Sequence, residues 1–476
     1  MKRIAVIGGG ISGLSATFSL EQNRRAGAPI EYVLYESRPR LGGVVRTESV
    51  EGFLIEAGPD SFLTEKPWAA DLCRQVGLAD QLITSNDAER KTYILIKGKL
   101  VGIPDGLMFM VPTKILPTFF SPLFSFRTKL QVAREWFQAP RKVELDETVA
   151  TFLERHYGRE MIERVADPLL SGIYGGEASQ LSIRAVLPRF LEMESTYGSL
   201  GRAMLASRGK GKSVAASPLF TSLKNGMQQM GDAVAIHLLP SAVRLNTPVE
   251  TIRKGEANWF VSAGAESGIF DAVILAIPVP AAARLLQANS AELASDLSGI
   301  HYSSSVTVAL AYDHQVRSSL PPGFGFLVPH SEGKSILAAT FVHNKFPYRA
   351  PEGQALIRCF LGGTTNEGIL QASEQEILQI VRNELRQILG IDSVPIFSRV
   401  YKWRSSMAQY GIGHLERLEC IERLRNQLPG LALAGNGYHG IGVPDCVRSG
   451  ISAVSHVLTA LGLAEGQASA KVSQLV

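Results

Sequence analysis

Residues Ile4 to Gly13, IAVIGGGISG, leave this chain few ways to fold. Four consecutive apolar residues, Ile4 to Ile7, suit a parallel strand covered on both faces. Gly8, Gly10 and Gly13 follow in the G-x-G-x-x-G spacing. Gly8 permits a tight turn, Gly10 admits a phosphate that a Cβ would hold off, and Gly13 lets a helix pack closely on the strand. The helix N-terminus then turns free N–H groups and the positive end of its dipole toward a pyrophosphate. With 45 glycines in the chain, the spacing alone could arise by chance. Its context argues otherwise. Leu14, Ala16, Phe18 and Leu20 continue a helix, Ala28-Pro29 ends it, and Glu31 to Tyr35 makes a second strand that delivers Glu36. That acid stands 23 positions past Gly13, close to the ~20 expected for a carboxylate on a ribose 2′-OH. These features predict a doubly wound, Rossmann-like α/β domain, and the acid selects FAD or NAD over NADP.

A chain of 476 residues holds two or three domains. A net charge of +4 without a block of consecutive Lys or Arg argues against nucleic acid as a partner. It fits an anionic small substrate or an anionic membrane surface equally well. The four cysteines, Cys73, Cys359, Cys420 and Cys446, form no C-x-x-C pair. They read as buried thiols in a reducing cytoplasm, and no metal site is expected. Lys2 and Arg3 lead directly into the first strand, so no signal peptide is expected.

Farther along, Arg38 to Thr47 reads as a loop, either folded over a phosphate-bearing ligand or solvated. Trp68 to Val76 is an amphipathic helix, and Tyr93 to Ile96 with Lys99 to Val101 makes a hairpin about Gly98. Leu107 to Phe126 is the most apolar long stretch, but Pro112, Pro117, Pro122 and Lys114 forbid a comfortable membrane span. Two readings stand. One is short helical turns presenting Phe109, Phe119, Phe120, Phe124 and Phe126 to lipid, with Arg127, Lys129 and Arg134 at the headgroups. The other is a Pro-rich core layer of a helical subdomain. Asp167 to Glu177 reads as a glycine turn, and Gly198 to Ser217 as a mobile surface loop. His301 to Tyr312 alternates, with Val306, Val308, Leu310 and Tyr312 on one face. Strands at 323–329, 336–341 and 355–361 continue an antiparallel sheet. Glu374 to Leu389 is an amphipathic helix. The last key stretch, Leu431 to Asp445, is a strand, a glycine loop and a second helix starting near Pro444. Nucleotide features at both ends of the chain favour FAD over NAD.

IGGGISGLSA, YESRPRLGGVVRT and EAGPDSF together resemble the flavin amine-oxidase superfamily. With DPLLSG at 167–172, they resemble its protoporphyrinogen oxidase / coproporphyrinogen III oxidase family. The resemblance covers essentially the whole chain. It implies that Gly8, Gly9, Gly10, Ile11, Ser12 and Gly13 hold the FAD pyrophosphate, and Glu36 with Ser37 the adenosine ribose. Arg40, Gly42, Gly43 and Val44, then Gly58, Pro59, Asp60 and Ser61, line the cofactor cleft. Val249 meets adenine, and Trp403, Gly435, Ile441, Gly442 and Val443 complete the FAD contacts, the last three at a helix N-terminus facing the electron-rich end of the flavin. On the substrate side it implies Arg90 or Lys91 on a propionate, Gly172 and Ile173 above the tetrapyrrole, and Leu327 and Phe341 against it, core packing being the competing role for the last two. His439 is not assigned as a base, and no catalytic side chain is named.

The implied architecture is an FAD domain (1–88, 212–298, 401–476), a substrate sheet (89–101, 299–400) and an inserted helical, membrane-associating domain (102–211). The implied reaction is six-electron oxidation of a porphyrinogen to a porphyrin in heme biosynthesis. Oxygen or a quinone is the acceptor, on the inner face of the cell membrane, and a homodimer is left open. The alternatives are an amine or carotenoid oxidoreductase of the same superfamily, or a non-catalytic lipid-chain-binding protein that keeps the fold.

Overall fold

A computed structural model describes residues 1–142, 145–210, 218–264 and 266–463. Five parallel strands form the nucleotide sheet, in the order Val243–Arg244, Ile30–Tyr35, Lys2–Ile7, Ala272–Leu275, Leu431–Leu433. Lys2–Ile7 lies at its centre, with Ile4 paired to Tyr32 on one side and to Ala272 on the other. Its alternation feeds two cores. Ile4 and Val6 pack with Leu14 and Val447 from the helices Ile11–Arg25 and Val443–Ala460, while Ala5 and Ile7 pack with Trp259, Phe270 and Leu286. The apolar run therefore has both faces covered, as a central parallel strand requires. The expected parallel-sheet dinucleotide domain is present.

A second sheet has seven strands, ordered Phe397–Ala408, Tyr302–Tyr312, Ala355–Gly362, Ile336–Phe341, Gly325–Leu327, Thr92–Ile96, Lys99–Gly102. Its pairings are antiparallel except between Gly325–Leu327 and Thr92–Ile96. Its outermost strand runs past residue 400 to Ala408. The helix Glu374–Leu389, held by a capping box between Ser373 and Glu376, lays Ile377, Val381 and Leu385 on one face. Val306, Val308, Leu310 and Tyr312 lie on that face, as the alternation predicts.

Between residues 115 and 210 the chain is mostly helical: Ile115–Phe120, Phe126–Glu135, Val149–Tyr157, Asp167–Tyr174, Pro188–Tyr197 and Leu200–Lys210. Two expectations fail here. Asp167 to Glu177 is not a turn throughout; Asp167–Tyr174 continues a helical run that enters from Arg159 through the π-helical segment Ile162–Ala166, with Pro168 just after that wider turn, and Gly175, left-handed at φ +63°, ends it. Residues 200–210 are a helix rather than a loop. Leu200 and Ala203 are buried, and Ser199 Oγ accepts from Arg202 N at 3.1 Å. The rest of that expected loop, 211–217, lies outside the described residues. Leu107 to Phe126 divides between its two readings: Met110, Val111, Leu123 and Phe124 are core, while Phe109, Phe119, Phe120 and Phe126 are exposed. Phe124 is thus not presented outward. Among the described residues, no helix is long and apolar enough to cross a membrane.

Candidate functional site

Gly8 leaves the first strand at φ +105°, its N–H donating to Tyr35 O at 2.8 Å. A Cβ on Gly13 would collide with Gly8 O, so helix and turn touch at that point. At Gly10 the nearest atom to a built Cβ is Gly43 Cα, 4.0 Å away, so the space beside its backbone is free. Gly10 caps the helix Ile11–Arg25 with no side-chain acceptor, leaving first-turn N–H groups for a ligand. Glu36 is buried with one oxygen accepting from Gly9 N at 2.7 Å and the other from Arg38 N at 2.8 Å. The carboxylate is thereby aimed at the glycine turn. Thr247 N donates to Glu36 O, bringing the segment that holds Val249 alongside.

The loop after Glu36 is zipped onto this turn: Gly42 N donates to Gly9 O at 2.8 Å. Arg40 is committed to that loop, donating to Leu41 O, Val45 O and Gly43 O at 2.6–3.1 Å, and burial pulls its pKa below the ordinary value. Ser37 and Arg38 are exposed, so the solvated reading holds for Arg38 and fails for Arg40. Gly58 packs against Val44 O, and Trp403 Nε1 donates to Ala57 O at 2.8 Å. Asp60 accepts from Lys345 Nζ at 3.1 Å on both oxygens and lies 3.7 Å from Arg358, whose guanidinium also donates to Gly58 O. Burial alone would raise the Asp60 carboxyl; the two cations outweigh it and hold it far below the usual range. On the opposite bank, Gly435 N donates to Ser449 Oγ, and the helix Val443–Ala460 begins at Gly442, whose N–H donates to Asp445 at 3.2 Å. The two cofactor-side helices meet where a Cβ on Gly450 would strike Ser12 O. Four segments (8–13, 40–44, 58–61 and 435–443) thus belong to one linked scaffold.

The substrate-side residues are not all brought together. Leu327 pairs with Ala338 and, across the sheet, with Ile94; Leu327 and Ile94 turn toward the helical region. The helix Asp167–Tyr174 lies against the strands Gly325–Leu327 and Ile336–Phe341. Gly172 and Ile173 are exposed on it. Phe341 is on the other face. It has the pleat parity of Ala339, which pairs with Phe326, and its fully buried ring lies 6.2 Å from that of Phe326 under the helix Glu374–Leu389. Phe341 is therefore core, and cannot share a ligand with Leu327. Lys91 lies over the Tyr93 ring at 5.0 Å, on the Phe326 side; it and Arg90 are both exposed.

Sequence reasoning missed a buried ionic layer: Glu56 with Arg349 at 3.0 Å, and Asp60 with Lys345 and Arg358. One signal was available. Arg358 interrupts an otherwise apolar strand, ALIRCFL, and an arginine there demands a partner. It also missed Lys66, which reaches across to Asp445.

A family model described as flavin containing amine oxidoreductase matches residues 11–458. Coproporphyrinogen III oxidase of Bacillus subtilis (strain 168) is 33% identical over 469 residues, covering 97% of this chain and 98% of that protein. Protoporphyrinogen oxidase of Homo sapiens is 31% identical over 486 residues, covering 96% and 98%. A crystal structure from Exiguobacterium sp. 255-15, provisionally named a protoporphyrinogen oxidase, superposes with a TM-score of 0.87 at 31% identity, covering 97% of this chain and 99% of that one. Reduced UDP-galactopyranose mutase, at 16% identity and a TM-score of 0.72 over 100% and 99%, shares the fold.

Proposed function

The chain belongs to the flavin-containing amine oxidoreductase family, and from that premise we propose that it oxidises a porphyrinogen to a porphyrin by six electrons in heme biosynthesis, using FAD. One observation carries the reading. The chain matches relatives named for that oxidation over 95% or more of its own length. The scaffold suits the cofactor: a free space beside Gly10, an uncapped helix N-terminus and a buried carboxylate at Glu36 are what a dinucleotide needs.

When bound, the flavin supplies two-electron acceptance from the substrate and passes the electrons on to oxygen or a quinone. The protein's part is positional. Residues 8–13 hold the pyrophosphate, Glu36 the ribose, and the segment at Val249 the adenine. Arg40 keeps the 41–45 loop closed over the cofactor, and Asp60, fixed by Lys345, anchors 58–61. Leu327, backed by the buried Ile94, gives an apolar contact for the macrocycle, with Gly172 and Ile173 above it. Arg90 is the cation for a propionate at the edge. Aromatisation drives the reaction, so no side-chain base is assigned.

The helices Ile115–Phe120 and Phe126–Glu135 extend this reading to the membrane. Leu116, Phe120, Phe126 and Phe137 are 70%, 79%, 70% and 86% exposed. Between 114 and 142 the exposed ions are Lys114, Arg127, Arg134, Arg141 and Lys142, while the sole acid, Glu135, is buried. Such a face suits the headgroup region of an anionic bilayer at the cytoplasmic side.

Anaerobic mixing with coproporphyrinogen III and with protoporphyrinogen IX separately tests the function. Bleaching of the oxidised flavin band by either, then porphyrin fluorescence on admitting air, is expected. A yellow protein that stays oxidised with both would sink the assignment.

A further inference from the structure

The helix Val443–Ala460 carries an acid where its proposed task calls for none. Asp445 is the third residue of its first turn and only 4% exposed. A helix N-terminus is worth about half a positive charge. A full negative charge in the same turn reverses that sign, so residues 441–443 would face an electron-rich ligand with a net negative end. Lys66 restores the balance. Its Nζ bonds both Asp445 oxygens, at 2.9 and 2.7 Å. Lys66 is set by the segment that follows 58–61. It precedes the helix Pro67–Gln75, where Pro67 fixes the first turn, and its own N–H donates to Leu63 O. Arg448 stands 3.6 Å from Asp445 and its charge also bears on that turn, but its hydrogen bond goes to His439 O at 2.7 Å and it stacks over Trp68 at 4.5 Å, a contribution common to every Lys66 variant. The bidentate partner is Lys66.

We propose that Lys66 is a positioning residue that sets the reduction potential of the bound flavin, by cancelling the Asp445 charge at the N-terminus of the helix facing it. This rests on the FAD reading above. Asp445 has a separate structural task. Its carboxylate accepts the Gly442 N–H, and a Cβ on Gly440 would press against it, so it shapes the loop that meets the flavin. The acid is kept for its geometry and the lysine removes its electrical cost to the reduced cofactor.

The test is the midpoint potential of purified holoenzyme, titrated anaerobically against reference dyes, for K66M, K66R, D445N and K66M/D445N, with a melting curve for each. K66M is expected to lower the reduced-to-oxidised ratio at fixed potential by about tenfold, ~30 mV for a two-electron couple. D445N is expected to raise it, K66R to hold it near wild type, and the double variant to return it there. A purely structural pair would shift both single variants in one direction along with their melting temperatures, and that result overturns the proposal, as do potentials unmoved in both. Loss of flavin from K66M alone also overturns it, since tuning leaves the oxidised cofactor bound. A wild-type protein that is colourless and takes up no FAD would instead defeat the function proposed above.

Discussion

Replacing Arg349 by leucine tests whether the buried ionic layer holds the segments around Glu56 and Arg349 together. Arg349 is 1% exposed, with Nη1 3.0 Å from Glu56, itself 3% exposed. Its Nη2 donates to Ser222 Oγ and Leu223 O at 2.8 and 2.9 Å. Neither acceptor is orphaned by the change, because Ser222 keeps its bond to Asp60 O and Leu223 O keeps that from Gly226 N. The cost therefore falls on Glu56. It retains Met227 N and Thr47 Oγ1 at 2.8 and 2.7 Å but loses its counter-charge. Leaving a buried charge unpaired costs about 3–5 kcal/mol. Burial already raises the Glu56 pKa against the pull of Arg349, and the variant raises it further. A group with a raised folded pKa gives its stability below the unfolded value, ~4.3 for glutamate, and loses it as pH climbs through the folded value. The deficit of R349L is thus largest at neutral and alkaline pH and shrinks toward pH 4–5. Urea unfolding followed by fluorescence at pH 5, 7 and 8.5 measures it. E56Q/R349L should recover at least half of the loss at pH 7. A deficit below ~1 kcal/mol at pH 7, or one independent of pH, refutes the argument.

F341A is expected to cost about 3–5 kcal/mol of stability with KM for porphyrinogen unchanged, whereas L327A raises KM with a smaller stability loss; steady-state kinetics beside urea unfolding separates them. G10A has room for its methyl group, so apoprotein melting should match wild type while the flavin-to-protein absorbance ratio falls. His156 is buried between Glu135 at 3.4 Å and Glu194 at 3.2 Å, with Arg155 also on Glu194. Burial alone would lower its pKa, but the two carboxylates raise it. Its stabilisation is present below ~6.5 and lost as pH rises through the higher folded value. H156Q should flatten the fall in melting temperature above pH 6.5; an unchanged slope would count against the pairing.

Local chemistry made some of this structure legible. Ile4 to Gly13 and Glu36 announce a strand, turn, helix and acid because each step uses short-range geometry. Val306 to Tyr312 alternate cleanly, and Ser373 with Glu376 marks the start of the helix Glu374–Leu389. What failed depended on longer range. Phe341 follows a register shift between Ile336 and Ala338, so its face is set by a bulge that sequence does not display. Residues 167–174 depart from the expected turn: Gly172 looks like a breaker, yet the helix is carried in from Arg159 through the segment Ile162–Ala166. Helix Leu200–Lys210 has the composition of a loop, and what ties it down comes from afar: Leu200 and Ala203 in the core, and Leu200 N donating to the buried Glu135. Lys66, Lys345 and Arg349 find their partners 379, 285 and 293 positions away, beyond any pattern in the chain.

The position of the first strand bears on biogenesis. Lys2–Ile7 is synthesised 268 residues ahead of one of its two neighbours, Ala272–Leu275. At ~5–20 residues per second, that is roughly 13–54 s of ribosome time. Throughout, the central strand of the nucleotide sheet, with its apolar run Ile4 to Ile7, has an open hydrogen-bonding edge, the exposure that invites mispairing with other nascent chains. The glycine turn is in the same interval, since Gly8 packs on Ala276. The fully packed glycine turn, and with it the cofactor's seat, is then a late event in the life of each chain.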